Sequence, residues 1–467
     1  MGVDAELRAL EAGFERTLAD LCELARIPSV SAAGFDPAQV ERSAERVAGL
    51  LEAAGLAGVE LLRVPGAHPA VYGECLAAGP GAPTVLIYAH HDVQPPGRPE
   101  HWKTPPFEPT LREDGRLYGR GVVDDKAGLL LHVAALRAFR ESAGAPPVNV
   151  KVLVEGEEEI GSLHLAELLR GERERLRADV LVLSDTANLA TGLPSYTVSL
   201  RGLVVVEVAV RALDHPLHSG MWGGPLPDAA SALCALLARL TDERGAIAVP
   251  GLADDAPELT PRERAALAAL PFDEAAFRAD AGLPSGVPLS GEPGRSVYEQ
   301  LWTRPAIAVT ALEAMPLAQS ANQLIAEARA KVGLRLAPGQ DAERAARRLV
   351  AFLEADPPRG VRVETCLESA APGWRTEPVG PAFDAARRAL ARGFGREPVA
   401  IGCGGSIPFV GPFVAELGGA PALLLGLEDP VCNAHGENES LSVDDFRKAA
   451  RSSVHLLREL ASLRRGA

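Results

Sequence analysis

The chain has 467 residues, 47% apolar and 23% charged, with 47 Lys and Arg against 62 Asp and Glu, a formal charge of −15. These figures describe a soluble globular chain of several domains' length, able to bury a core without disulfide staples. They exclude low-complexity and collagen-like classes, and the acidic balance argues against a nucleic-acid partner, whose footprint would be basic.

Residues 5–26 place Leu7, Leu10, Phe14, Leu18, Leu21 and Leu24 at helical spacing and predict a helix. The same opening stretch is acidic and amphipathic, so no secretory leader is expected. Residues 38–56 predict a second helix. Short apolar runs then alternate with helical stretches: Thr84–Ala89, Lys126–Ser142, Val148–Val154, Leu163–Leu169 and Val180–Leu183. That alternation predicts an α/β layer with a mostly parallel sheet covered by helices.

From about residue 196 the texture changes. Tyr196–Val210 reads as strands of alternating polarity, Asp228–Arg244 as a helix, and residues 245–305 as loops with short helices. Ala306–Leu312 and Ala326–Leu336 read as strands and Asp341–Ala355 as a helix. Helical Ala382–Gly393, Gly-rich Gly402–Pro408 and an apolar strand at Ala420–Leu425 follow. The expected organisation is a catalytic domain in two segments, 1–190 and 375–467, with an α+β lid or dimerisation domain inserted at 191–374. The six cysteines form no CxxC pair, so a reduced, cytoplasmic protein is expected. No apolar run approaches the ~18 residues that a membrane span needs.

Acidic or histidine clusters end five predicted elements. Thr84–Ala89 runs into His90-His91-Asp92, Val148–Val154 into Glu155-Gly-Glu157-Glu158-Glu159, and Val180–Leu183 into Ser184-Asp185. Asp124-Asp125 precedes a helix, and Asn433-Ala-His435-Gly-Glu437 follows the Ala420–Leu425 run. Singly, each has an ordinary explanation: a polar contact, a solvated acidic run, an N-cap. Together, at the carboxyl ends of α/β strands, they describe a site. Two histidines among carboxylates suit zinc, or manganese or cobalt, rather than a thiolate structural centre.

Eight ordered blocks carry a family resemblance: YAHHDVQP (88–95), GRGVVDDKAG (119–128), EGEEEIGS (155–162), LSDT (183–186), LHSGMWGGPLPD (217–228), RLAPGQD (335–341), GGSIP (404–408) and NAHGENESL (433–441). With these blocks the chain resembles the M20 family of di-metal peptidases and, within it, the carnosinase-like cytosolic dipeptidases. The resemblance implies two divalent metal ions, most simply zinc. His90 and Asp185 would hold one, Glu159 and His435 the other, and Asp124 would bridge both. Asp92 would fix the His90 tautomer, and Glu158 would be the general base. His218 would donate to the oxyanion and Arg335 would pair with the carboxylate of a small peptide substrate. Asn322, Gly404 and Ser406 would line the substrate site. The resemblance also implies a homodimer that shares sites through the inserted domain.

Departures from the family pattern are His91 where Tyr is common, Ala89 for a usual Gly, Ile325 for a Pro, and Cys403 where Glu is frequent. The alternatives on the same fold are an N-acyl-amino-acid deacylase and a non-catalytic metal-binding protein.

Overall fold

The computed structural model describes residues 2–405, 407 and 410–463. The chain divides into two compact units, one of Met1–Val198, Glu377–Ile401 and Phe409–Ala467, the other of Ser199–Thr376 and Gly402–Pro408.

In the first unit the strands lie in the order Ala57–Leu62, Ala70–Cys75, Asn149–Glu155, Thr84–His90, Val180–Ala187, Ala422–Glu428, Ser195–Leu200. The middle four are parallel to one another. The outer pairings are antiparallel. Thr84–His90 and Asn149–Glu155 are buried along their whole length, because helices cover the sheet, and this produces their unbroken apolar runs. Helix Lys126–Ala143 is buried from Lys126 through Phe139. It packs against helices Asp4–Ala25 and Val443–Leu460 and touches the Thr84–His90 strand. Val443–Leu460 starts where the Ser442 hydroxyl accepts from the Asp445 amide, and Phe446, Ala450, Val454 and Leu457 line its buried face. A small sheet of Thr110–Leu111, Arg116–Tyr118 and Ser440–Ser442 ties the chain before Lys126–Ala143 to the C-terminal region.

The second unit holds a four-stranded antiparallel sheet ordered Ala306–Glu313, Glu327–Leu336, Gly202–Arg211, Arg362–Ala371. Helices Ala229–Leu237 and Ala342–Glu354 cover one face, over a core of Val204, Val206, Val208, Val210, Val332 and Leu334. Among the described residues, no helix is long and apolar enough to cross a membrane.

Three observations depart from the sequence expectations. The helix expected over Asp228–Arg244 ends at Leu237. Past it, the Asp242 carboxylate accepts from the amides of Arg244 and Ala246, a turn that competes with helical hydrogen bonding. Strands Ala57–Leu62 and Arg362–Ala371 were not foreseen, since their partly exposed positions give neither an apolar run nor a clean alternation. The strand expected at Ala420–Leu425 runs instead over Ala422–Glu428 and ends on a carboxylate.

Candidate metal centre

The four parallel strands place their carboxyl ends side by side, where open α/β sheets collect ligands. His90 ends Thr84–His90 and stands in register with Glu155. Asp185 lies within Val180–Ala187, and Glu428 ends Ala422–Glu428. Asp124 and Asp125, joined by a cis peptide bond, come immediately before helix Lys126–Ala143.

These side chains converge. One oxygen of Asp124 is 3.1 Å from His90 Nε2, and its other oxygen is 2.9 Å from His435 Nε2. Glu159 Oε2 is 3.2 Å from the same His435 nitrogen, and Asp185 Oδ2 is 3.8 Å from His90 Nε2. Three groups offer ligand atoms close enough together for one ion: His90 with Asp125 and Asp185, Asp124 with Glu159 and His435, and Asp124 with Asp185 and Glu428. All five residues expected as ligands are therefore gathered in one place.

Asp125 and Glu428 join them, and neither was foreseen. Asp125 occupies the N-cap position of its helix, yet its side chain caps nothing. Instead Oδ2 accepts from the His90 amide, and buried Oδ1 has no hydrogen-bond partner among the described residues. The only signal in the sequence was the doubled aspartate, which reads as a cap. Glu428 was hidden because the strand was expected to stop three residues earlier.

The supports explain the spacing of the motifs. The Asp92 side chain sits 3.4 Å from His90 Nδ1, and it also accepts from the Glu158 and Glu159 amides and the Ser31 hydroxyl. The Asp92 carbonyl lies closer still to His90 Nδ1, at 3.1 Å, so Asp92 holds the imidazole through its backbone and its carboxylate, and the carboxylate also anchors the short 3₁₀ turn Glu158–Ile160. Adjacent strand residues would point to opposite faces, so this turn is what lets Glu158 and Glu159 serve the same cluster. Gln94 holds Glu159 through its amide and its side chain. Buried Glu439 accepts from Arg120 at 2.6 Å and from the amides of Gly121 and Val123, which sets the path into Asp124. Arg120 also donates to the carbonyls of His435 and Gly436, bracing a loop in which His435 has φ +64°.

Two neighbours are engaged elsewhere. The His91 ring lies 3.0 Å from the Pro69 carbonyl, and burial pushes it down to about 4. Glu157 accepts from the His68 amide and pairs with His164 at 2.8 Å.

Charge is the dominant feature of the cluster. Burial lifts Glu158 to about 8, with Glu159, Asp124 and Asp92 adding repulsion against the opposing pull of His90. Burial likewise lifts Glu428 to about 8, reinforced by Asp124. It raises Asp185 and Asp125 well above the carboxylate range, each pushed further by a neighbouring aspartate. Burial works against ionisation of Asp124 too, yet hydrogen bonds from His435 and His90 hold its carboxyl low. Hydrogen bonds to Asp124 and Glu159 carry His435 up to about 11. A cluster of mostly buried carboxylates whose burial favours their protonated forms is a cluster short of positive charge. Its oxygen and imidazole donors fit divalent cations of the zinc, manganese or cobalt kind.

Gly128 keeps this arrangement possible. A Cβ there would lie 1.7 Å from Asp125 Oδ1 and 2.6 Å from the Ser184 carbonyl. Gly128→Ala is expected to destabilise the fold by about 1–3 kcal/mol through overpacking and to weaken metal retention. Gly49 is the control: it is also helical, has nothing within 4 Å of its notional Cβ, and its change to Ala should stabilise by roughly 0.5–1 kcal/mol. Chemical denaturation with metal analysis of both variants checks this. A Gly128→Ala protein as stable and metal-replete as the parent would contradict it.

The remaining expected residues belong to the second unit, apart from Ser406, which lies outside the described residues. His218 ends the two-residue strand Leu217–His218, opposite Gln323, and its Nδ1 accepts from the Gly220 amide. Asn322 is next to it, its carbonyl accepting from the Ser219 amide. Arg335 lies near the end of Glu327–Leu336, and Gly404 receives a hydrogen bond from Arg201 at its carbonyl.

Fold and cluster together describe an α/β protein whose parallel sheet carries a multi-carboxylate, metal-type centre at its carboxyl ends. Residues 86–459 match Peptidase family M20/M25/M40, and the chain belongs to that family. It is an enzyme of the metallopeptidase class, and membership implies divalent metals. The chain is 34% identical to a cysteinylglycine-S-conjugate dipeptidase of Corynebacterium striatum, over 80% of this chain and 81% of that one. It is 30% identical to a Cys-Gly metallodipeptidase of Schizosaccharomyces pombe, over 82% and 81%. Among solved structures, human carnosine dipeptidase 1 superposes with a TM-score of 0.87 at 26% identity, covering 99% of both chains.

Proposed function

We propose that the protein hydrolyses the peptide bond of dipeptides or short peptides with a free C-terminal carboxylate, using two divalent ions per chain, zinc first among them. The observation that carries this is the shared aspartate: each Asp124 oxygen faces a different histidine, and a carboxylate lies beside each. His90 and Asp185 would hold one ion and Glu159 and His435 the other, with Asp124 between them and Asp125 and Glu428 close by. When bound, such ions polarise a scissile carbonyl and make a water more acidic.

The chain's own residues do the rest. Glu158 takes the proton from the attacking water and hands it to the leaving amine. Asp92 keeps His90 in one tautomer and holds the Glu158 turn in place. In the second unit, assigned here as the lid, His218 donates to the oxyanion and Arg335 pairs with the substrate carboxylate. Asn322, Gly404 and Ser406 complete the contacts.

A cytoplasmic homodimer formed through the lid follows from the same reading. The edge strand Ala306–Glu313 supports it, being largely exposed along its length with Val309 and Leu312 uncovered.

The test is turnover of a dipeptide panel, including Cys-Gly and β-Ala-His, against N-acyl-amino acids by metal-loaded protein. Preferential dipeptide cleavage is expected. Preferential cleavage of acyl-amino acids would turn the reading into a deacylase, and no hydrolysis at full metal occupancy would leave a non-catalytic metal protein.

A further inference from the structure

The five proposed ligands are not held alike. His90 and Asp185 lie in parallel strands, and their side chains are 0% and 8% exposed. The other three come from irregular chain: Asp124 just before a helix, Glu159 in the 3₁₀ turn Glu158–Ile160, and His435 in a loop. His435 is the most exposed of the five, with its side chain 58% open. Its loop also holds Asn433, His435 and Asn438 at positive φ, a state that non-glycine residues keep only where their surroundings impose it. Packing alone does not fix this half of the centre.

Arg120 and Glu439 supply the tie. Both side chains are buried, and Arg120 Nη1 donates to Glu439 Oε2 at 2.6 Å. Other hydrogen bonds of the pair lead to each of the three ligands that lie outside strands. Glu439 Oε1 accepts from the Val123 and Asp124 amides at 3.1 and 3.4 Å. Arg120 Nη2 donates to the carbonyls of His435 and Gly436 at 3.0 and 3.1 Å. The same nitrogen reaches the Pro95 carbonyl at 3.1 Å. Gln94, one residue earlier, grips both Glu159 oxygens, one with its amide and one with its side chain. The other half is held separately. Among the described residues, neither Arg120 nor Glu439 hydrogen-bonds to His90, Asp125 or Asp185. The His90 amide donates to Asp125, and its ring lies against Asp92.

A guanidinium suits this task. One arm of its planar fork pairs with a carboxylate while the other serves three carbonyls. A lysine ammonium has three donors and no fixed fork. We propose that the Arg120–Glu439 pair positions one ion only, the ion held by Asp124, Glu159 and His435, and that the ion at His90 and Asp185 is retained without it. Arg120 and Glu439 are positioning residues: they touch the backbone that carries the ligands, not the ion. The proposal rests on the two-ion reading above.

The experiment strips the protein of metal with a chelator, titrates it with zinc and counts bound ions, with circular dichroism to confirm folding. The parent should bind two ions per chain. Arg120→Lys should hold one as tightly as the parent does and the other about 10–100-fold more weakly, the usual cost of losing a group that orients a ligand. Adding His435→Ala to that variant should remove little further metal, whereas adding Asp185→Asn should release the ion that remains. If Arg120→Lys does not fold, Arg120→Met combined with Glu439→Leu removes both charges together and leaves no lone buried ion. It should show the same loss of one ion. A parent that binds a single ion overturns the two-ion reading and this proposal with it. A parent with two ions whose Arg120→Lys variant holds both as tightly overturns the proposal alone. Equal weakening of both ions does so too, since it would make the pair general scaffolding.

Discussion

Replacing Glu158 with Gln is expected to leave the metals bound and to slow hydrolysis by about 10²–10⁴, the usual cost of losing a general base. Amide and carboxylate are close to isosteric, so the cluster keeps its shape. The turn that carries residue 158 is held by its own amide on Asp92, not by the side chain, so the substitution leaves that anchor untouched. The amide cannot accept the water's proton. Steady-state rates with metal analysis on the same sample decide the matter. A variant within tenfold of the parent would remove Glu158 from the role. Glu157 would be a poor replacement, since its oxygens are already taken by His68 and His164.

The second large effect concerns His218. Losing one oxyanion donor costs about 10²–10³ in rate, so His218→Ala should be nearly inactive while its metal content is unchanged. The imidazole is exposed and accepts a local hydrogen bond from the Gly220 amide, so truncation should not unfold the unit. If the proposed dimer shares its sites, mixing His218→Ala with Glu158→Gln under subunit exchange restores activity. One subunit then brings Glu158 and the other brings His218. No recovery, with heterodimers demonstrated, would place His218 in its own chain's site or outside the chemistry.

Much of the metal centre was legible because the chemistry is local in sequence. His90 and Asp92 are two residues apart, Glu158 and Glu159 are adjacent, and each sits where an apolar strand stops. The parallel sheet was legible for a related reason: strands covered on both faces leave unbroken apolar runs, as at Thr84–His90. What stayed hidden depended on tertiary contact. Asp125 has the position of a helix cap, and only the approach of the His90 amide gives it another partner. Glu428 needed the correct strand end. Glu439 and Arg120, which set the path of the Asp124 segment and brace the His435 loop, are more than 300 residues apart in the chain. Strand Arg362–Ala371 alternates in burial only over its first five residues, too short a stretch to mark a strand in the sequence.

The dependence of catalysis on two ions is measured as dipeptide hydrolysis by protein stripped of metal with a chelator and then titrated with zinc, manganese or cobalt, with bound metal counted on the same samples. The stripped protein should show no hydrolysis, and activity should recover to saturation at two ions per chain. Hydrolysis without metal, or full activity with a single ion bound, would contradict it.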